Sequence, residues 1–309
     1  MPFNLRLPVI AAPMFLVSGP ELVIAACRAG IVGAFPTPNC RTAEELDGWM
    51  DTITRALKDK TSETPVGPWA ANLITHSTNT RLPDDLALVK RYQPPLVITA
   101  LGSPKPAIDT VHSYGGLVFA DVINVNLARK AVAAGADGLV CIAAGAGGHT
   151  GYFSPFAFVS AVREFFKGPV VIGGGISDGA GVAGAIAAGA DYAYVGTRFL
   201  PTHESRAVEP YKQMIVDCGP DDLIVSAALT GTPASWLKPS LTATGYDVAA
   251  LEGKAARDYT PDTAHKRWRD TWAAGQGLHV VKGIEPVSAV VDALERDYRK
   301  AVARFKAQA

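Results

Sequence analysis

ARKAVAAGADGLV at residues 128–140 and VAGAIAAGADYAYV at residues 182–195 spell one local structure twice. Each opens with a small-residue helical stretch, passes through AAGAD and ends in an apolar run. Alanines let a helix end lie close to a sheet, and glycine just past the last turn is what helix C-termini favour. The echo predicts a repeated unit in which a helix feeds a strand. Outward from these segments, short apolar runs alternate with longer amphipathic ones from the N-terminus to residue 218. Candidate strands cover 8–12, 30–35, 66–72, 95–100, 116–121, 138–143, 169–173 and 192–196. Most are apolar at consecutive positions, as parallel strands buried on both faces are. Candidate helices cover 21–29, 42–58, 84–91, 107–112, 126–134, 155–166, 178–188 and 204–217. The second has Thr42 as N-cap with Glu45 three residues on, a capping-box pattern. The fifth opens on an Asn cap, Asn126.

Eight strands, each followed by a helix, is the count of a (β/α)8 barrel. An open doubly wound sheet usually has fewer strands and one glycine fingerprint after the first. Here APMFLVSGP (12–20) follows the first strand instead. The expected fold class is therefore α/β, a (β/α)8 TIM barrel with a smaller C-terminal appended region. Residues 1–218 form the barrel. Residues 219–285, rich in Gly, Pro, Thr and Trp with short helical pieces such as 263–274, form a substrate-side lid region. Residues 286–309 hold an amphipathic helix over 287–307 that returns to the barrel.

The bulk numbers agree. The chain has 309 residues, 48% hydrophobic and 19% charged, enough for a large core. Lys+Arg and Asp+Glu are 29 each, so no basic excess points to nucleic acid or an anionic membrane. Cys27, Cys40, Cys141 and Cys218 are scattered without metal-type spacing, which makes a reducing compartment the default. The apolar run 7–17 is short, broken by Pro8 and Pro13, and lacks a basic flank. A cytoplasmic location is expected. No His pair has HxxxH or HExxH spacing, and no metal site is expected.

Barrel chemistry gathers at the C-terminal ends of the strands. In LVCIAAGAGGHTG (139–151) an apolar strand ends in a glycine-rich loop with His149 at its tip. Histidine titrates nearest neutrality and can take a proton at working pH. The plainer reading of this loop is a surface turn with an incidental histidine. Other strands end in AAPM (11–14), Asn72, Asp121, GGGISDG (173–179) and GTRF (196–199). The last two loops offer bare backbone N–H groups, a hydroxyl and a helix capped by Ser177 or Asp178, the composition of a barrel phosphate site. His76 reads as a surface loop residue, alternatively lining the pocket, His265 as part of a solvated face, and His279 as a satisfied structural one; His112 falls on a short helix and His203 near a helix start. Tyr152, Phe153 and Phe156 read as core, with Tyr152 or Phe153 alternatively capping a small apolar pocket.

AAPM, ANL, AGAGGHTG, IGGGISDG and AGADYAYVGTRF, in this order, resemble the nitronate monooxygenase family, formerly called 2-nitropropane dioxygenases. The likeness covers most of residues 5–205 and extends more weakly to TGTPASWL (230–237) and AGQG (274–277). It implies an FMN-dependent barrel. Pro13 and Met14 would lie against the flavin, Asn72 would hydrogen-bond the ring or ribityl region, and Gly147 would permit close approach. Gly174, Gly175, Gly196 and Thr197 would hold the phosphate, and His149 would be the catalytic base. Some relatives carry Lys or Gln where this chain has Asp121. That carboxylate would bind a ring N–H or lie away from the cofactor as a helix-cap or loop residue. The implied reaction is oxidative denitrification of alkyl nitronates with O2, giving a carbonyl compound and nitrite. The small-molecule partners are a nitronate or nitroalkane and O2, and a homodimer is left open. The alternatives are an NAD(P)H-dependent FMN reductase of enoyl thioesters or quinones and a flavin-free sugar-phosphate isomerase or lyase. No separate nicotinamide fingerprint is visible, which favours the oxygenase.

Overall fold

The computed structural model describes residues 2–58, 65–251 and 268–308. Eight parallel strands close into a barrel: β1 (Val9–Ala11), β2 (Val32–Pro36), β3 (Trp69–Ile74), β4 (Leu96–Ala100), β5 (Leu117–Val122), β6 (Gly138–Ile142), β8 (Val170–Gly173) and β9 (Tyr192–Val195), with β9 pairing back onto β1. The two-residue strand β7 (Gly148–His149) lies outside the barrel, in the connection from β6 to β8. Between the strands run α1 (Pro20–Arg28), α2 (Ala43–Lys58), α3 (Leu82–Tyr92), α4 (Lys105–His112), α5 (Val125–Ala133), α6 (Pro155–Arg163) and α7 (Gly179–Ala187), and α8 (Glu209–Asp217) follows β9.

Strand alternation explains the continuous apolar runs. Ile10, Val32, Ala34, Ala70, Leu96, Ile98, Phe119, Val140, Val171, Tyr192 and Tyr194 fill the barrel interior. Their neighbours, such as Val9, Leu139, Cys141, Val170, Ile172 and Ala193, face outward and are buried beneath the helices. Both sides of each strand are covered, so polar residues are confined to the ends.

The two AAGAD segments are built alike. Gly135 (φ +96°) and Gly189 (φ +105°) follow α5 and α7 in the left-handed conformation. Around them the N–H of Gly135 reaches Val132 O and that of Ala136 reaches Ala131 O. Gly189 and Ala190 repeat the pattern on Ile186 and Ala185. The aspartates then turn back onto the preceding strand. Asp137 accepts from Val118 N at 2.7 Å, and Asp191 from Val170 N at 2.8 Å. Asp191 also takes a 2.5 Å bond from Arg163, whose guanidinium spans the Gly168 and Gly189 carbonyls. Asp191→Ala would strand both donors at once, so an expected loss of about 1–3 kcal/mol follows, measurable as a lower urea midpoint at unchanged m-value.

Most helix starts shift by one or two residues from the sequence expectation, and two of the shifts have a visible cause. The cap of α5 is Asn124, whose side chain accepts from Leu127 N, rather than Asn126. Helix α8 begins five residues later than 204. Glu204 is engaged elsewhere, its carboxylate accepting the Val287 N–H at the start of α11 (Val287–Gln308). That long helix packs on α7 so closely that a Cβ on Gly179 would overlap the Leu294 carbonyl and the Tyr298 nitrogen. Arg6 ties it to the N-terminus through Glu295 and Asp292.

After α8 come β10 (Leu223–Ser226), β11 (Ala234–Leu237), α9 (Lys238–Ala243) and α10 (Val248–Leu251). β10 and β11 pair antiparallel, and β11 pairs with β7, placing Ala234 opposite His149. Trp236, Ile224, Leu229, Leu241 and Ala273 form a small core beneath this sheet. The helical piece expected over 263–274 lies outside the described residues up to 267. From 268 on the chain is not helical, and Ala273 bridges to Trp236 instead. Among the described residues no helix is long and apolar enough to cross a membrane, and no cluster of His, Cys, Asp or Glu could hold a metal.

Candidate active site

At the C-terminal ends of the strands the barrel opens into a cavity of about 870 Å³, within the usual span of about 300–1,000 Å³ for ligand sites. Pro13, Met14, Asn72, Asp121, Gly147, His149, Gly174, Gly175, Gly196 and Thr197 all line it. The residues singled out from sequence therefore surround one space.

The floor is the top layer of the barrel interior. Asn72 is buried and gives its Nδ2 to the Ile98 carbonyl at 3.1 Å, which fixes the amide plane. Asp121 continues the inward series of β5 beyond Phe119. Its Oδ1 is buried with no hydrogen-bond partner among the described residues, and burial pushes its carboxyl up to about 7. The Tyr194 hydroxyl, also on the floor, is likewise buried and unpartnered. Tyr194 was missed in sequence, although period-two alternation through Tyr192 would have pointed it inward.

The wall beside β1 is pinned by Asn39, a second residue sequence reasoning missed. Its Nδ2 donates to the Met14 and Ser18 carbonyls, and its Oδ1 accepts from Leu16 N. Three glycine-rich segments meet on the other side. The Gly145 carbonyl accepts from both Gly175 N and Gln276 N, so the Gly175 N–H is already committed within the protein. A Cβ on Gly147 would stand 2.6 Å from Gly275 N, so the bare backbone there is required by residues 274–275 themselves. Thr197 Oγ1 accepts from Gly275 N at 2.9 Å, and its own hydrogen has no acceptor among the described residues. A Cβ on Gly196 would meet the Ala12 and Met14 side chains at 3.6–3.9 Å, an ordinary contact. Helix α7, behind these turns, is capped by Asp178, which accepts from Gly181 N at 2.7 Å. That resolves the choice between Ser177 and Asp178.

His149 stands at the rim. Its backbone is held by β11, and its ring meets Trp268 edge-on at 5.2 Å, with Trp268 in turn 4.4 Å from Trp236. Among the described residues neither imidazole nitrogen has a hydrogen-bond partner. The ring is open to the cavity but walled by protein behind, and desolvation lowers its pKa below 6.5. It is thus a neutral imidazole at pH 7, able to accept a proton. Trp268 lies 119 positions away in sequence, and no local signal announces the contact.

Other expectations are corrected. His279 is exposed rather than satisfied in the core, because the turn over Gln276–Val280 points Leu278 inward instead. Tyr152 and Phe156 are exposed, Phe153 stacks between Tyr152 and Phe158, and none of the three lines the cavity. His76 and His112 are exposed, with Thr78 and Asp137 as their partners. His265 lies outside the described residues.

Solved structures share this architecture. The nitroalkane oxidase from Streptomyces ansochromogenes aligns at a TM-score of 0.81 and 24% identity, over 97% of this chain and 98% of that one. FabK from Thermotoga maritima aligns at 0.79 and 23%, over 99% and 96%. A closed parallel barrel, glycine-built turns and a free imidazole at its mouth place the chain among the flavin-dependent oxidoreductase barrels. The nitronate monooxygenase profile matches residues 3–297, and the chain belongs to that family. A protein named nitronate monooxygenase in Paraburkholderia phytofirmans is 29% identical across 97% of this chain and 94% of its own length. A relative in Rhodococcus jostii, named as a dehydrogenase of an octahydro-indene carboxyl-CoA, is 30% identical across 76% of this chain and 63% of its own length.

Proposed function

We propose that this chain catalyses FMN-dependent oxidative denitrification of alkyl nitronates with molecular oxygen, releasing a carbonyl compound and nitrite. The observation that carries the reading is His149, a neutral imidazole with no hydrogen-bond partner among the described residues, at the rim of an apolar cavity. That is what removal of a proton alpha to a nitro group requires. The same ring, once protonated, holds the nitronate oxygen by a charge-assisted hydrogen bond. FMN, when bound, supplies one-electron oxidation and reaction with oxygen, and the protein supplies position and electrostatics.

The cavity suits such a group. Asp121 and Tyr194, each with a buried polar atom that has no partner among the described residues, line the cavity and give it a polar floor for hydrogen-bonding edges, and side-chain-free turns at Gly174, Gly175 and Gly196 with the Thr197 hydroxyl suit an anionic tail. Pro13 and Met14 supply a flat wall for the ring, Asn72 and Asp121 a polar floor, and Gly147 the facing backbone. Residues 219–285 serve as the substrate-side cover, since β11 carries the strand of His149 and Gly275 abuts the β6 turn. The cysteines, all free among the described residues, suit a cytoplasmic setting. A flavin-free sugar-phosphate barrel is not carried forward, because the family is flavin-dependent.

The test is anaerobic. Purified protein shows a flavin spectrum, propyl nitronate bleaches it, and NAD(P)H does not. Rapid bleaching by NAD(P)H with no response to nitronate would overturn the reading in favour of a reductase of enoyl thioesters or quinones. The Rhodococcus relative's CoA-ester name makes that outcome the one to watch.

A further inference from the structure

Two strands that do not touch each other each bring one unsatisfied polar atom to the cavity floor. Asp121 sits on β5 and Tyr194 on β9, three places apart around the ring of eight strands. Among the described residues the Asp121 Oδ1 and the Tyr194 hydroxyl are both buried without a partner, and both residues line the cavity. A buried polar group left unpaired is costly. Two of them on one floor mark a surface shaped for what lies above it.

The charged and titratable surroundings sharpen this. Tyr194 and Cys141 both feel the Asp121 charge. His149 and Lys130 line the same cavity, yet neither forms an ion pair or hydrogen bond with Asp121 among the described residues. An isolated carboxylate with no cation against it is disfavoured in such a place, whereas a carboxylic acid is tolerated and has an O–H to give.

We infer that Asp121 carries a proton and donates it in a hydrogen bond to an acceptor atom on the ring of the bound FMN, with the Tyr194 hydroxyl a second donor from β9 on the same floor. The inference rests on the FMN reading above. It assigns Asp121 the opposite role from a carboxylate accepting a ring N–H. It also makes FMN binding proton-linked. Deprotonation removes the donor and leaves an anion facing an acceptor, so affinity falls as pH rises. The carboxyl titrates about pH 7 before the cofactor arrives. Above that, His149 is already neutral, the Cys141 thiol is held up to about 12 and Tyr194 higher still. The window from pH 7 to 9 therefore isolates Asp121 within the site.

The experiment is FMN fluorescence quenching on the flavin-stripped full chain, from pH 6 to 9, for native protein, Asp121→Asn and Asp121→Ala. Native Kd should rise about 50-fold between pH 7 and 9, as the protonated share falls from about a half to about a hundredth. Asp121→Asn keeps an N–H donor and should bind with a Kd that stays flat over that interval. Asp121→Ala should bind more weakly and equally flatly. A flat native Kd overturns the inference whatever the variants do. So does a native slope reproduced in Asp121→Asn, or an Asp121→Ala affinity equal to native. Failure of native protein to bind FMN at all overturns the cofactor reading and this inference with it. Nitronate turnover does not enter, so an error in the proposed substrate leaves this result intact.

Discussion

His149→Asn lowers kcat/KM for a neutral nitroalkane by about 10²–10⁴-fold, the usual worth of a positioned general base. For the corresponding preformed nitronate the loss is far smaller. The two substrates differ by the one proton that the imidazole removes. With the nitronate that step is already done, and His149 contributes only a hydrogen bond to the anion, which the asparagine amide partly replaces. A residue needed only for packing would depress both substrates alike. The pH dependence follows from the environment. Desolvation lowers the His149 pKa below 6.5, so the base form predominates at neutrality. The nitroalkane kcat/KM should be level across neutral pH as far as His149 governs it, and decline only as pH drops through a value below 6.5. In His149→Asn that acid limb disappears. An asparagine variant with equal losses on nitroalkane and nitronate would remove His149 from proton transfer.

The barrel was legible because its strands are apolar on both faces. Eight such runs alternating with helices, without a glycine fingerprint after the first, favour a closed barrel over an open doubly wound sheet, and the paired AAGAD segments mark where a helix hands over to a strand. The site was legible in part for a related reason. In a sheet buried on both sides polar residues survive only at the strand ends, so Asn72, Asp121 and His149 stood out against Leu, Val and Ala. Orientation was not legible. Asp121 read equally well as a loop or cap carboxylate, and only the inward series from Phe119 on β5 shows it on the floor. Long-range partners were invisible too. The pairing of Gly148–His149 with β11 and the seat of the imidazole against Trp268 join segments more than eighty residues apart. Neither hydrophobic period nor turn chemistry encodes such a contact. The same holds for Gly147, whose lack of a side chain reads as room for a ligand in sequence but is demanded by the backbone of 274–275.

Gly174→Ala is expected to weaken FMN binding at least tenfold, while its neighbour Gly175→Ala has a much smaller effect. Both glycines have positive φ, +141° and +68°, so both alanines are strained. At Gly175 the strain is that of a single left-handed alanine, about 1–2 kcal/mol. The nearest atoms to its new Cβ, in Gln276, are 3.9–4.0 Å away, an ordinary contact. At Gly174 the φ is farther from any conformation an L-residue favours, and the Cβ would stand 2.5 Å from the Ala144 carbonyl oxygen and 3.1 Å from that of Ala143. Neither carbonyl is free to retreat. The Ala143 N–H is bonded to Gly173 O, Ala144 N to Phe153 O, and the adjoining Gly145 carbonyl to Gly175 and Gln276. Relief therefore has to displace the β6 turn, the β8 turn and the 275–277 segment together. Those are the three segments from which one side of the cavity is made. The stability loss from such overpacking should be about 1–3 kcal/mol, so the chain still folds and the affinity loss is readable by equilibrium dialysis. Equal affinities for the two variants would mean that the turn after β8 does not shape the cofactor seat, and the anion would have to be held elsewhere on the mouth.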